Sequence, residues 1–74
     1  MTQVRKILIA DDDDDLRGAL CEQLSLHAEF AALHAPTAGA ALDLARDEAP
    51  DLVIMDVGLP DMDGREALKL LRRD

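Results

Sequence analysis

Apolar and polar positions change period repeatedly along this chain, and the changes predict strands alternating with helices. Ile7-Leu8-Ile9-Ala10 is an apolar run without polar alternation, the pattern of a strand buried on both faces of a parallel sheet. It stops at five consecutive aspartates, residues 11–15. Leu16, Leu20 and Leu24 then recur at helical spacing, with Ala19 and Cys21 filling in, which predicts a helix over residues 14–27. Residues 30–34 read as a second, weaker strand. Ala35-Pro36-Thr37 breaks it, and Thr37 is the expected N-cap of a helix through Ala41, Leu42, Ala45 and Glu48. Ala49 precedes Pro50, whose ring drives the preceding residue out of the α region and closes that helix. Leu52-Val53-Ile54-Met55 is a third strand, also expected to be buried, and it ends on Asp56. Gly58, Pro60 and Gly64 give residues 58–64 the chemistry of a loop. A last helix is predicted over residues 65–73, with Ala67, Leu68 and Leu71 on one face.

The order is βαβαβα, without repeats, linker or low-complexity tract. Strands and helices alternating at this spacing predict right-handed crossovers and a doubly wound parallel sheet of the α/β class. The first crossover runs to one side and the second must return past it, so the first and third strands lie side by side. In such a sheet ligands bind beyond the carboxyl ends of the strands, where strand order reverses. Asp11 and Asp12 follow the first strand and Asp56 follows the third. Acids some 45 residues apart in the chain are therefore expected to converge on one edge.

Like charges held together destabilise one another unless something positive intervenes. A divalent cation resolves the conflict, and a set of few carboxylate oxygens suits Mg²⁺, which keeps water and phosphate in its shell. A carboxylate can also act as a nucleophile and form an aspartyl phosphate. Asp13, Asp14 and Asp15 have a plainer reading, as helix N-capping and first-turn residues that favour the helix dipole. Asp56 taken alone could be a strand-end turn residue. Its pairing with the first-strand acids makes it a site candidate.

Composition narrows the function. The chain has 74 residues, enough for one small domain or part of one, and a unit of this size is expected to be marginally stable. At 49% hydrophobic and 32% charged it lies outside the compositional range of disorder. Phe30 is the single aromatic residue, which excludes base stacking on an aromatic platform. The formal charge of −8 opposes contact with nucleic acid or anionic membrane through this segment and suits cations or basic partner surfaces. Cys21 has no partner for an internal disulfide and reads as a small hydrophobe on a helix, which points to a reducing compartment. The basic start, residues 1–6, leads into only four apolar residues, too few for a signal peptide or a membrane span. A cytoplasmic location is expected.

Three segments together resemble the receiver domains of two-component response regulators. They are Ile7-Leu8-Ile9-Ala10-Asp11-Asp12, Asp51-Leu52-Val53-Ile54-Met55-Asp56 and Leu59-Pro60-Asp61-Met62-Asp63-Gly64. The resemblance implies a flavodoxin-like sheet, here βαβαβα with strand order 2-1-3, and a signalling domain rather than a classical enzyme. It implies transfer of a phosphoryl group from a sensor histidine kinase or phosphotransfer protein onto Asp56. Mg²⁺ would be held by Asp12 directly, by Asp11 largely through water, by Asp56, and by the backbone carbonyl of Gly58. Pro60 and Gly64 would shape the loop.

Receivers continue through a fourth strand ending in Ser or Thr and a fifth ending in Lys. By this resemblance residues 1–74 form a receiver domain incomplete at its C-terminal end, and an effector domain that binds DNA and regulates transcription could follow. The third strand would then present an unpaired edge, on which a homodimer could form. Lys69, Arg72 and Arg73 read as a solvated last helical turn, and His27 and His34 as surface residues rather than ligands. Two further classes stand beside this reading. A phosphatase of the haloacid-dehalogenase type shares the Asp11-x-Asp13 spacing but wants Thr or Val where Asp15 stands. An acidic interaction module without chemistry predicts no Mg²⁺ dependence.

Overall fold

The computed structural model describes residues 3–72, built from β1 (Arg5–Ala10), α1 (Asp14–Ser25), β2 (Phe30–Ala35), α2 (Ala38–Glu48), β3 (Leu52–Met55) and α3 (Gly64–Arg72). The strands form one parallel sheet in the order β2-β1-β3, with Ala10 paired to Ala35 on one side and to Met55 on the other. The expected class, element order and adjacency of the first and third strands all hold. The element ends move by a residue or two. α1 stops at Ser25, because the Leu26 and His27 N–H groups turn back to the carbonyls of Gln23 and Leu24. The part of the last helix expected at Arg73 lies outside the described residues.

Residue size sorts the two faces of the sheet. On one side Leu8, Ala10, Ala35, Ala38, Ala41, Leu59 and Ala67 form a buried cluster that joins the sheet to α2 and α3. Side chains as small as alanine let these elements approach closely. On the other side Ile7 and Ile9 are buried, and α1 lies over β2 and β1. The inward row of α1 is Arg17, Leu20, Cys21 and Leu24, all half-buried, whereas Leu16 and Ala19 face water. Cys21 is thus half-buried rather than a core residue.

The helix ends follow local chemistry. Thr37 caps α2 by accepting the Ala40 N–H at 3.1 Å. Ala49 ends that helix at φ 47°, the one non-glycine residue in the left-handed region among those described. It donates its N–H to the Ala45 carbonyl while Pro50 blocks any continuation.

The burial expected of β3 is corrected. Leu52 and Ile54 are 53% and 45% exposed, while Val53 and Met55, on the α2 side, are half-buried. The cause is the placement of α1, which covers β2 and β1 and leaves the third strand bare on that face. Among the described residues β3 pairs with β1 alone, so its other edge carries unpaired backbone groups beside exposed apolar side chains. Such an edge is a template for strand pairing. A polypeptide limited to these 74 residues is therefore expected to self-associate, most simply by two-fold antiparallel pairing of β3 with β3. Ile54→Lys should return it to a monomer in sedimentation velocity. A parent protein that sediments as a monomer at the same concentration would refute this.

Candidate functional site

Because Ala10 and Met55 are register partners, the residues that follow them leave the sheet side by side at its carboxyl edge. The ladder runs one residue past both strands. The Asp56 N–H donates to the Ala10 carbonyl at 2.9 Å, and the Asp11 N–H to that of Ala35 at 3.1 Å. The result is a trio. Carboxylate oxygens of Asp11, Asp12 and Asp56 all lie within 4.8 Å of one another, Asp11 and Asp56 half-buried and Asp12 exposed. No other group of three His, Cys, Asp or Glu side chains comes together in this way among the described residues.

Each acid is held by its own loop. Asp11 Oδ1 accepts the Asp13 N–H at 2.9 Å, which turns the chain into α1. Asp13 caps that helix by accepting the Leu16 N–H at 3.0 Å, so its carboxylate serves the helix end. Arg17, one turn into α1, reaches back with one guanidinium nitrogen 2.7 Å from the Asp11 carbonyl and another 2.6 Å from Asp14 Oδ1. Asp56 Oδ1 accepts the Gly58 N–H at 3.1 Å, and no hydrogen bond to Oδ2 occurs among the described residues. Gly58 therefore sits beside the Asp56 carboxylate through its N–H.

The loop after Asp56 is fixed at several points. Leu59 is buried in the α2–α3 cluster, and the Val57 carbonyl accepts the Gly64 N–H at 3.1 Å. Asp61 reaches across to the start of α2, where its oxygens accept the Ala38 and Gly39 N–H groups at 2.8 and 2.9 Å. Those two amides, Gly39 first, hold its carboxyl below the usual carboxylate range. A lowered folded-state value means that this tie contributes stability at neutral pH and is lost only as pH falls through it. Asp63 caps α3 and pairs with Arg65, whose side chain chiefly lowers its carboxyl.

Of the other residues singled out by sequence, His34 is exposed and its Nδ1 lies 3.4 Å from Arg17 Nε. His27 is exposed near Glu29. Lys69 and Arg72 occupy the last turn of α3, and Arg73 lies outside the described residues. Sequence reasoning missed Arg17, which falls in the helical row of apolar residues. It also missed Asp61, whose partners lie more than twenty residues away.

A doubly wound α/β unit with an acidic trio at the carboxyl edge defines a class of small α/β domains whose polar site lies beyond the strand ends. Within it, this chain belongs to the response regulator receiver domain family, whose profile matches residues 7–74. It is 42% identical over 72 residues to the regulatory protein AtoC of Escherichia coli K12, covering 97% of this chain and 15% of that one. Over 68 residues it is 46% identical to the response regulator protein FleR of Pseudomonas aeruginosa, covering 90% and 14%. Among solved structures, a CheY-like receiver domain protein from Methanospirillum hungatei superposes with a TM-score of 0.91 at 31% identity, covering 96% of this chain and 56% of that one. The response regulator domain of Thermotoga maritima CheB gives 0.90 at 28% identity, covering 96% and 54%. The chain thus spans about half of these solved domains and a much smaller share of the curated relatives, several of which are named as transcriptional regulators.

Proposed function

We propose that this chain is the phosphoacceptor part of a two-component regulator, with Asp56 as nucleophile. The observation that carries the reading is the convergence of Asp11, Asp12 and Asp56 on one sheet edge, with carboxylate oxygens within 4.8 Å. The donor set is all hard oxygen and partly open to solvent, which fits Mg²⁺ rather than a softer metal. Asp11, Asp12, Asp56 and the Gly58 carbonyl would hold the ion. When bound, it would neutralise the carboxylates and the phosphoryl oxygens. The chain's own work is positioning. The Gly58 N–H holds Asp56 Oδ1 and so orients the carboxylate, leaving Oδ2 to approach phosphorus. An Oδ–P bond forms as the P–N bond of a kinase phosphohistidine breaks, and the imidazole leaves with a proton from solvent.

The partner in this reading is a sensor histidine kinase or phosphotransfer protein in the cytoplasm. Among the described residues no helix is long and apolar enough to cross a membrane. An effector domain elsewhere in the polypeptide would carry the transcriptional output, and the net charge of −8 argues against DNA contact by this segment.

Titration with Mg²⁺, followed by amide chemical shifts, is the direct test. Binding is expected to be weak, because the ion keeps several waters, and the shifts should concentrate at residues 11–13 and 56–59. Shifts spread evenly over the acidic surface, or none at all, would favour the interaction module without chemistry.

A further inference from the structure

Arg17 is a largely enclosed charged side chain beside the acidic edge. Its side chain is only 12% exposed, although the acid it pairs with, Asp14, is 82% exposed. Three guanidinium nitrogens have separate partners: the Asp11 carbonyl at 2.7 Å, Asp14 Oδ1 at 2.6 Å and His34 Nδ1 at 3.4 Å. The first contact bears on the site. The Asp11 carbonyl belongs to the peptide that joins Asp11 to Asp12, so a donor fixed on it sets the plane of that peptide. That plane sets part of the backbone from which both carboxylates project. The backbone around it is otherwise held from the other side, by the Asp11 N–H on the Ala35 carbonyl and by the Asp13 N–H on Asp11 Oδ1.

We propose that Arg17 is a positioning residue for the cation site, locking the Asp11–Asp12 peptide from α1 and braced in turn by His34 on β2. The inference rests on the reading of the trio as a Mg²⁺ site and adds a residue that touches neither the ion nor the phosphoryl group. The guanidinium fork suits this role because its donors lie in one rigid plane and serve several acceptors at once, which an ammonium on a flexible stem does not do. Groups that orient metal ligands in this way commonly matter on the order of tenfold or more in affinity.

Charge alone predicts the opposite sign. A fixed positive group near a cation site repels the ion, so removing it should tighten binding. Positioning predicts that removing it weakens binding. The test is Mg²⁺ affinity by calorimetry and amide shifts in the full chain, comparing the parent with Arg17→Gln, Arg17→Lys and His34→Leu. Thermal unfolding without metal is recorded for each. We expect Arg17→Gln to weaken Mg²⁺ binding on the order of tenfold. Arg17→Lys, which keeps the charge and one donor, should fall between the two.

His34→Leu removes only the brace at an exposed position. It should weaken binding about two- to threefold, a small part of the loss typical of such groups. Unchanged or tighter binding in Arg17→Gln, with Arg17→Lys equal to the parent, would overturn the proposal. So would lowered metal-free stability with affinity intact, the signature of a residue that merely pins α1 to the sheet. Should Arg17→Gln fail to fold, His34→Leu decides, and parental affinity there would overturn the bracing. Absence of Mg²⁺ binding in the parent would instead overturn the reading of the trio itself, and this proposal with it.

Discussion

Asp56→Asn is expected to abolish uptake of a phosphoryl group from a small-molecule acyl phosphate in the presence of Mg²⁺. Asn has the volume of Asp, and its amide oxygen can still accept the Gly58 N–H that Asp56 Oδ1 accepts at 3.1 Å. The loop should therefore keep its shape. What disappears is the charged oxygen proposed above as the nucleophile, and an amide oxygen does not replace it. Where a nucleophile has been removed from a dissected enzyme, the loss has been on the order of 10⁶ in rate, so only background should remain. The substitution also takes one charge from the trio and should weaken Mg²⁺ binding. Intact mass of the full-length polypeptide after incubation, read before and after hydroxylamine treatment, measures the adduct and its acyl character. A hydroxylamine-labile phosphoryl group on the Asn variant would move the acceptor to Asp11 or Asp12 and end the assignment.

Gly64→Ala should cost about 3 kcal/mol of stability, at the upper end of ordinary overpacking. A methyl group at Gly64 would overlap the backbone carbonyl oxygen of Asp56 and come within 2.8 Å of Val57 Cα. Both neighbours are main chain, so no rotamer change relieves the contact, and either α3 or the Asp56 loop must move. The gain in helix propensity from glycine to alanine is about 1 kcal/mol at most and loses to the clash. Domains of this size are held by about 4–11 kcal/mol, so the loss is a large fraction of the whole. Gly18, in the middle of α1, has nothing within 4 Å of the same added methyl. There the identical change should stabilise by up to about 1 kcal/mol. Urea unfolding of the two variants is thus expected to shift the midpoint in opposite directions. A Gly64→Ala protein as stable as the parent would show that the approach of α3 to Asp56 is looser than described. Amide shifts at Asp56 and Val57 should move in the same variant even where it remains folded.

Much of this architecture was legible because the decisive signals are local. The apolar runs of β1 and β3, the Thr37 cap and the Ala49-Pro50 boundary each act within a few residues, and the elements they predict are present. The convergence of Asp11, Asp12 and Asp56 was legible for a topological reason, since a right-handed parallel sheet leaves little choice about which strand ends meet. The failures are tertiary. Exposure of Leu52 and Ile54 depends on which strands α1 covers, and hydrophobicity along β3 carries no trace of that. Periodicity placed Leu16 on the inward face of α1, but the inward position one residue later is taken by Arg17. A long charged side chain can occupy such a place when its stem is covered and its head has acceptors. Asp61 gave no signal, because its partners at Ala38 and Gly39 are brought to it only by the packing of the β3–α3 loop against α2. Gly64 was read as a loop former, whereas the structure assigns its necessity to the space behind Asp56.

The small side chains on the α2 side have a consequence for mutational drift. Ala10, Ala35, Ala38, Ala41 and Ala67 are all at most 1% exposed, so that wall is specified by volume more than by hydrophobicity. Exchanging one of them for valine or leucine would keep the hydropathy profile intact and still force the acidic edge apart. On the α1 side, Leu20, Cys21 and Leu24 are only half-buried and have room to change size. Neutral substitutions are therefore expected to accumulate on α1 and to be nearly absent from the alanine wall. In a library selected only for folding, the surviving sequences would show which helix backs the Asp56 loop without any assay of phosphorylation.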